Sequence, residues 1–449
     1  MRQESKLIRN LSFWDLMAIS VGQIIGAGIM STTGVAIGMT GTGVVLAFLL
    51  SPFLTTISIF PSTVLGSAVP ATGGPYWYCS RILGKVPGMI YLLLHITMNI
   101  SFAQWGLSFA SYFVSLVSGL NQHLIAIIIL TIFFVANLVG TKTAAFVNKL
   151  ITIVLIGGLA MFVAFGLPET DFSYVFNPSN LFNNGAFAFV SVLALLSSAT
   201  AGAQCLAEYG GEAKNPGKDI PKAIILSTLG VGVFYVLISL VAAGNLPIET
   251  VSNQPLTLVA DKTMPKIAFY IFVIGAALGS TASTINSSFS WVTKPLLVAC
   301  DDGLLPKSLG KVSSKGVPYK LLTFFYLIGI IPLIIGYDIS FITKFVTANS
   351  LLSKILVCVA LFKLASTRPE ILTRSTMNIT PSFAKVISIA GILILILLSS
   401  SLLLNLPLYV ALFIGALVLF VIIFVMTYGK NVKLEDDLLV NYTGEVEDK

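Results

Sequence analysis

Long apolar runs leave this chain no water-soluble fold to adopt. Twelve are read, at residues 13–39, 44–69, 86–117, 124–140, 144–166, 186–209, 223–243, 267–299, 321–335, 340–362, 386–404 and 408–428. A helix that crosses a bilayer needs about 20 mostly apolar residues. The strands of a membrane β-barrel would instead alternate apolar and polar residues over about 10-residue stretches, which these runs do not. Charged residues are 10% of the chain, against about 25% in soluble domains, too few to cover a water-facing surface. The expected fold is an all-α membrane protein with twelve transmembrane helices.

The placement of basic residues orients those helices. With the N-terminus inside, cytoplasmic loops and tails hold 21 of the 26 Lys and Arg. Lys262, Lys266 and Lys344 fall outside, and Lys294 and Lys354 fall within helices. That asymmetry fits the positive-inside rule with both termini cytoplasmic, as an even number of spans requires. The net charge of +7 is therefore a topology signal spread over short loops, and no nucleic-acid partner is expected. The first run is interrupted by Asp15 and glycines and is followed by no small-residue cleavage site, so it does not read as a removable signal. The four cysteines, Cys79, Cys205, Cys300 and Cys358, have no metal-binding spacing and read as unpaired thiols.

No connection is long enough for a soluble domain, so an enzyme is not expected and any function must be built between helices. No Ser-His-Asp, zinc or cysteine-pair constellation is present. "KNPGKDIPKA" lacks the phosphate-loop spacing and reads as a turn that starts the seventh helix at Pro221.

Two runs contain residues that weaken a helix in mid-membrane. The first carries "GQIIGAGIM" (22–30), three glycines in seven residues, each disfavoured in a helix by roughly 1 kcal/mol relative to alanine. One reading is close helix packing through the Gly22/Gly26 small-xxx-small pair. The other is a broken helix at Gly26-Ala27-Gly28. Freed backbone groups cost several kcal/mol each in lipid unless satisfied, and are tolerated where they line a cavity. The sixth run carries "SSATAGA" (197–203), again small and weakly helical. Interrupted helices in matching positions of two halves point to a midplane transport site, and runs one to five and six to ten have the opposite directions that inversion demands.

The chain resembles the amino acid–polyamine–organocation (APC) transporter superfamily, in its amino acid permease type. The resemblance rests on "GQIIGAGIMSTTG" (22–34), "PATGGPYWYCSRILG" (70–84), "EAKNPGKDIPKA" (212–223) and "ACDDGLLPKSLGKVSSKGVP" (299–318), in order along nearly the whole chain. It implies a leucine-transporter-like five-plus-five inverted repeat, with discontinuous helices 1 and 6 and two extra C-terminal helices. Residues 1–12 would be a cytoplasmic arm, 13–363 the transport core, 364–428 a cytoplasmic loop with helices 11 and 12, and 429–449 a cytoplasmic tail. It also implies a substrate carboxylate on the backbone of Gly26, Ala27 and Gly28. The ammonium would meet carbonyls around Ile24 and Ile25 and from Ser198 through Ala199, Thr200, Ala201 and Gly202. The physics agrees: helix N-termini favour anions, and the carbonyl ends favour cations. Two departures stand out. Ser198 occupies the place where many members have a bulky Phe or Trp gate. Leu155 lies near the place where several members carry a lysine.

Other intramembrane polar residues add candidates. Gln204 and Glu208 are four apart, hence on one helical face. Glu208 is read either as a proton-carrying or gating carboxylate, or as a structural partner of a lysine such as Lys294. His95 and Asn99 are also four apart, and His95 faces either the pocket or another helix. The hydroxyls of "GSTASTINSSFSW" (279–291) either complete a sodium site or bond their own helix. The expected function is secondary transport of small neutral amino acids across the plasma membrane by alternating access, as permease or exchanger. Carboxylates are too scarce for a cationic substrate; an acidic one would want a cation, for which Lys294 or Lys354 is the candidate, although Lys354 reads equally as a snorkelling or paired lysine. A polyamine or charged amino acid antiporter, or an amino-acid-binding membrane sensor, is the alternative. No cofactor is expected; H+ or Na+ coupling stays open. The expected partners are the amino acid and the lipid bilayer.

Overall fold

The computed structural model describes residues 11–432 and 434, except 70, 72, 118, 140–143, 210–212, 314–315 and 374. Most of the expected N-terminal arm and C-terminal tail lies outside those residues. Helices account for the regular structure among the described residues, apart from one isolated bridge between Leu11 and Ala213. Among the described residues, nine helices are long and apolar enough to cross a membrane. Gln122–Leu138, Ile153–Gly166 and Tyr319–Ile335 are shorter apolar helices among the same residues.

The outer surface fits a bilayer as solvent. Val233, Ile334, Leu393, Leu412 and Phe420 are each more than 60% exposed. So much scattered apolar surface would drive a water-soluble protein to aggregate, whereas lipid tails solvate it. Inside, two large apolar cores form. One gathers Ile24, Phe48, Phe162, Leu195, Tyr235 and Phe272. The other gathers Tyr78, Leu92, Phe102, Phe289, Phe325 and Leu361.

Local chemistry fixes several helix ends. The Phe13–Ile24 helix starts on a capping box: Asp15 donates its N–H to the Ser12 hydroxyl, and the Asp15 carboxylate accepts the Ser12 N–H at 2.9 Å. Such caps contribute about 1 kcal/mol, which accounts for a carboxylate at the edge of an apolar run. The seventh helix runs Pro216–Gly244 and passes through Pro221, so it starts five residues before the proline that the sequence suggested. Proline tolerates the first helical position because that N–H has no partner anyway, and here Pro216 takes that place. Pro221 cannot donate to the Gly217 carbonyl; the Ser67 hydroxyl does so instead, at 2.8 Å.

One ion pair among the described residues is almost wholly withdrawn from solvent. Arg81, in the turn Cys79–Leu83, grips Asp302, just after the Lys294–Asp301 helix, through two hydrogen bonds of 2.6 and 2.9 Å. Tyr76 donates to the same carboxylate at 2.8 Å.

Candidate functional site

Helical geometry fails at Ile25 and Gly26. The Ile25 N–H still reaches the Val21 carbonyl at 2.8 Å, but Gly26 has φ −59° and ψ −136°, and a new helix runs Ala27–Thr40. The Ile24 carbonyl lies at the end of the first helix. It accepts the hydroxyl of the fully buried Tyr235 at 2.5 Å. The second interruption falls at Thr200, after the Gly185–Ala199 helix. The chain continues as a nine-residue 3-10 helix, Ala201–Tyr209. Runs of that type beyond three or four residues are uncommon. Thr55 donates its hydroxyl to the Ser197 carbonyl at 2.9 Å and pairs with the Thr200 hydroxyl at 2.6 Å. Neighbouring helices thus satisfy part of what the interruptions release, as a lipid environment demands.

The glycines let the two interruptions touch. A Cβ on Gly202 would sit 2.6 Å from the backbone carbonyl of Gln23, and one on Gly28 would sit 3.0 Å from the Ala199 oxygen. Backbone therefore packs on backbone at two crossings. Close packing and helix interruption, alternatives on paper, coexist in one arrangement.

A cavity of about 200 Å³ opens against these crossings. Gly28, Ser198, Ala199, Ala201, Gly202 and Gln204 line it on one side, and His95 lines it on another. Its walls draw on both cores, with Leu195 from the first and Val346 from the second. Ile24 and Ile25 are buried away from the described lining, Gly26 packs on Thr284, and the Thr200 hydroxyl is engaged by Thr55. The side chains of Ala27 and Glu208 lie outside the described residues. Lys294 is not in the described lining; its ammonium stands 4.3 Å above the Tyr209 ring.

The His95 Nε2 faces the Val292 carbonyl at 2.9 Å. A carbonyl can only accept, so Nε2 carries the hydrogen, and Nδ1 has no partner among the described residues. The ring packs among Tyr91, Trp291 and Phe325. In the eighth span, Thr281 donates to Ala277, Thr284 to Ser280 and Ser287 to Ser283, all backbone carbonyls one turn earlier. Ser287 also accepts the Gln23 amide at 2.7 Å.

Trp105 and Trp291 went unassigned in the sequence and border the cavity together with Cys205 and with Lys354, which the sequence placed within a helix without fixing its role. A signal existed for Lys354: Thr347, Ser350 and Lys354 lie at i, i+3 and i+7 of the apolar Ile339–Thr367 helix, a polar stripe on one face.

Residues 11–443 match the family model described as amino acid permease. The chain is 27% identical over 399 residues to the branched-chain amino acid permease BcaP of Bacillus subtilis, covering 82% of this chain and 83% of that one. It is 28% identical over 341 residues to the amino-acid permease RocE of the same organism, with coverage of 71% and 72%. It is 22% identical over 353 residues to a D-serine/D-alanine/glycine transporter of Escherichia coli, with coverage of 72% and 71%.

Proposed function

Because the chain belongs to the amino acid permease family, we propose that it moves small amino acids across the plasma membrane by alternating access. In this reading twelve spans, ten of them in an inverted repeat, carry both termini on the cytoplasmic side. The substrate is gripped through the groups every amino acid shares. Its carboxylate meets the N–H groups that open the Ala27–Thr40 helix, whose dipole contributes up to ~2 kcal/mol in a partly buried site. Its ammonium meets carbonyls at the end of the Gly185–Ala199 helix. The Ile24 and Ser197 carbonyls already accept hydroxyls from Tyr235 and Thr55, so the Ser198 and Ala199 carbonyls are the better candidates.

The carrying observation is that both helix interruptions meet at one cavity. Leu195, Met98 and Val346 give it apolar wall, which suits small neutral side chains. Among the described residues no carboxylate lines it, which argues against polyamines and cationic side chains. Ser198 is too small to close over a substrate; Trp105 and Trp291 supply the bulk on the cavity wall.

Purified protein in lipid vesicles tests this. Saturable uptake of labelled alanine, serine or leucine, accelerated by unlabelled amino acid on the far side, is the expected result. Unsaturable current would mean a pore, and binding without flux a sensor; either refutes the proposal. Repeating uptake with imposed proton and sodium gradients identifies the coupling ion.

A further inference from the structure

Lys354 lies near the middle of the Ile339–Thr367 helix and is 2% exposed, yet it borders the cavity. Its ammonium has no hydrogen-bond partner among the described residues. The titratable neighbour one turn along the helix is Cys358, a thiol that brings no full charge. A buried charge without a partner is strongly destabilising, and ionisable groups within membrane spans are retained for function. A second donor points the same way. The indole N–H of Trp291, on the same cavity, is also without an acceptor among the described residues.

These groups demand an acceptor that carries negative charge. An ammonium offers three donors and no acceptor, an indole offers one donor, and a carboxylate is acceptor-only. The helix interruptions and Lys354 border the same cavity from different helices. A zwitterion held at the interruptions leaves Lys354 unpaired. A substrate with one more anionic group on its side chain pairs both.

We propose that Lys354 is a specificity residue that receives an anionic side-chain group of the substrate. Acidic amino acids are then favoured over their neutral isosteres. This rests on the transporter reading above but replaces its neutral-substrate preference with an acidic one. Neutral amino acids still use the main-chain groups, but leave the ammonium unpaired.

The test compares L-glutamate with L-glutamine and L-aspartate with L-asparagine in vesicles containing the full chain, alongside alanine and leucine. In the unsubstituted protein each acid should half-saturate uptake at a concentration at least ten-fold below that of its amide. In Lys354→Met that ratio should fall toward one, and in Lys354→Arg, which keeps the charge, an acid preference should persist. If Lys354→Met does not fold, Lys354→Gln serves, and ligand-induced thermal stabilisation gives the same ratio without flux. An acid-to-amide ratio at or below one in the unsubstituted protein overturns the role of Lys354, as does a preference that survives loss of the charge. Both outcomes leave neutral uptake, and the transporter reading, standing. Absence of binding and uptake for all six amino acids overturns both.

Discussion

Replacing Asp302 by asparagine should be among the most damaging single changes outside the cavity. The Arg81 and Asp302 side chains are 1% and 2% exposed, so solvent screens little of their interaction. Asparagine turns an amide N–H₂ toward a guanidinium that can only donate, and removes the charge that balances it. Breaking one side of a buried pair costs about 3–5 kcal/mol, or roughly two to four orders of magnitude in the folded-to-unfolded ratio. Tyr76 adds to the loss. Burial, and then the Asp302 charge, hold its phenol well above the ordinary range, so it stays a donor across working pH and loses its anionic acceptor. The assay is a double-mutant cycle with Asp302→Leu, Arg81→Met and the pair Arg81→Met/Asp302→Leu, run beside Asp302→Asn and read by thermal stability in detergent and by reversible unfolding in bicelles. Both single variants should be strongly destabilised, and the pair should be more stable than either. An Asp302→Asn effect within about 0.5 kcal/mol of the parent, the ordinary range for surface changes, would refute the reasoning. So would a pair whose loss equals the sum of the two singles.

Gly202→Ala should abolish uptake and lower stability by about 1–3 kcal/mol, because the new methyl meets the Gln23 backbone rather than a side chain that can swing away. Gly157→Ala, with open space at its Cβ, is the control and should be neutral or mildly stabilising in both assays. Tyr235→Phe removes the hydroxyl that bonds the Ile24 carbonyl; a loss of about 1–3 kcal/mol in thermal unfolding is expected from the orphaned buried acceptor, and an unchanged melting curve would contradict it. Of the four cysteines, Cys205 borders the cavity while Cys79, Cys300 and Cys358 are buried. A membrane-permeant thiol reagent should therefore label Cys205 first, and a saturating transported amino acid should slow that labelling. Equal rates with and without the amino acid would separate the cavity from the substrate path.

Much of the architecture was legible because lipid imposes simple rules. Apolar runs long enough to span stand out in composition alone, and clusters of small residues mark where helical geometry fails, at Gly26 and Thr200. Some signals were present but open to misreading. Pro221 looked like a helix start, yet Pro216 takes that place, since Ser67 from a distant span supplies the hydrogen bond that Pro221 withholds. The cavity wall was the least legible part. Trp105, Trp291 and Lys354 come from three separate spans, and which face each span turns inward depends on tertiary packing. The Arg81–Asp302 pair, 221 residues apart, likewise has no local signature.

The nine residues from Ala201 to Tyr209 are wound more tightly than an α-helix, and are correspondingly longer. A 3-10 helix rises about 2.0 Å per residue against 1.5 Å for the α form, so relaxing this stretch to α would shorten it by about 4.5 Å. Such a change, with Thr200 as its anchor, would slide the Tyr209 end past the Phe13–Ile24 and Pro216–Gly244 helices that pack against this stretch, so the pitch of this one segment is tied to the position of two neighbouring helices.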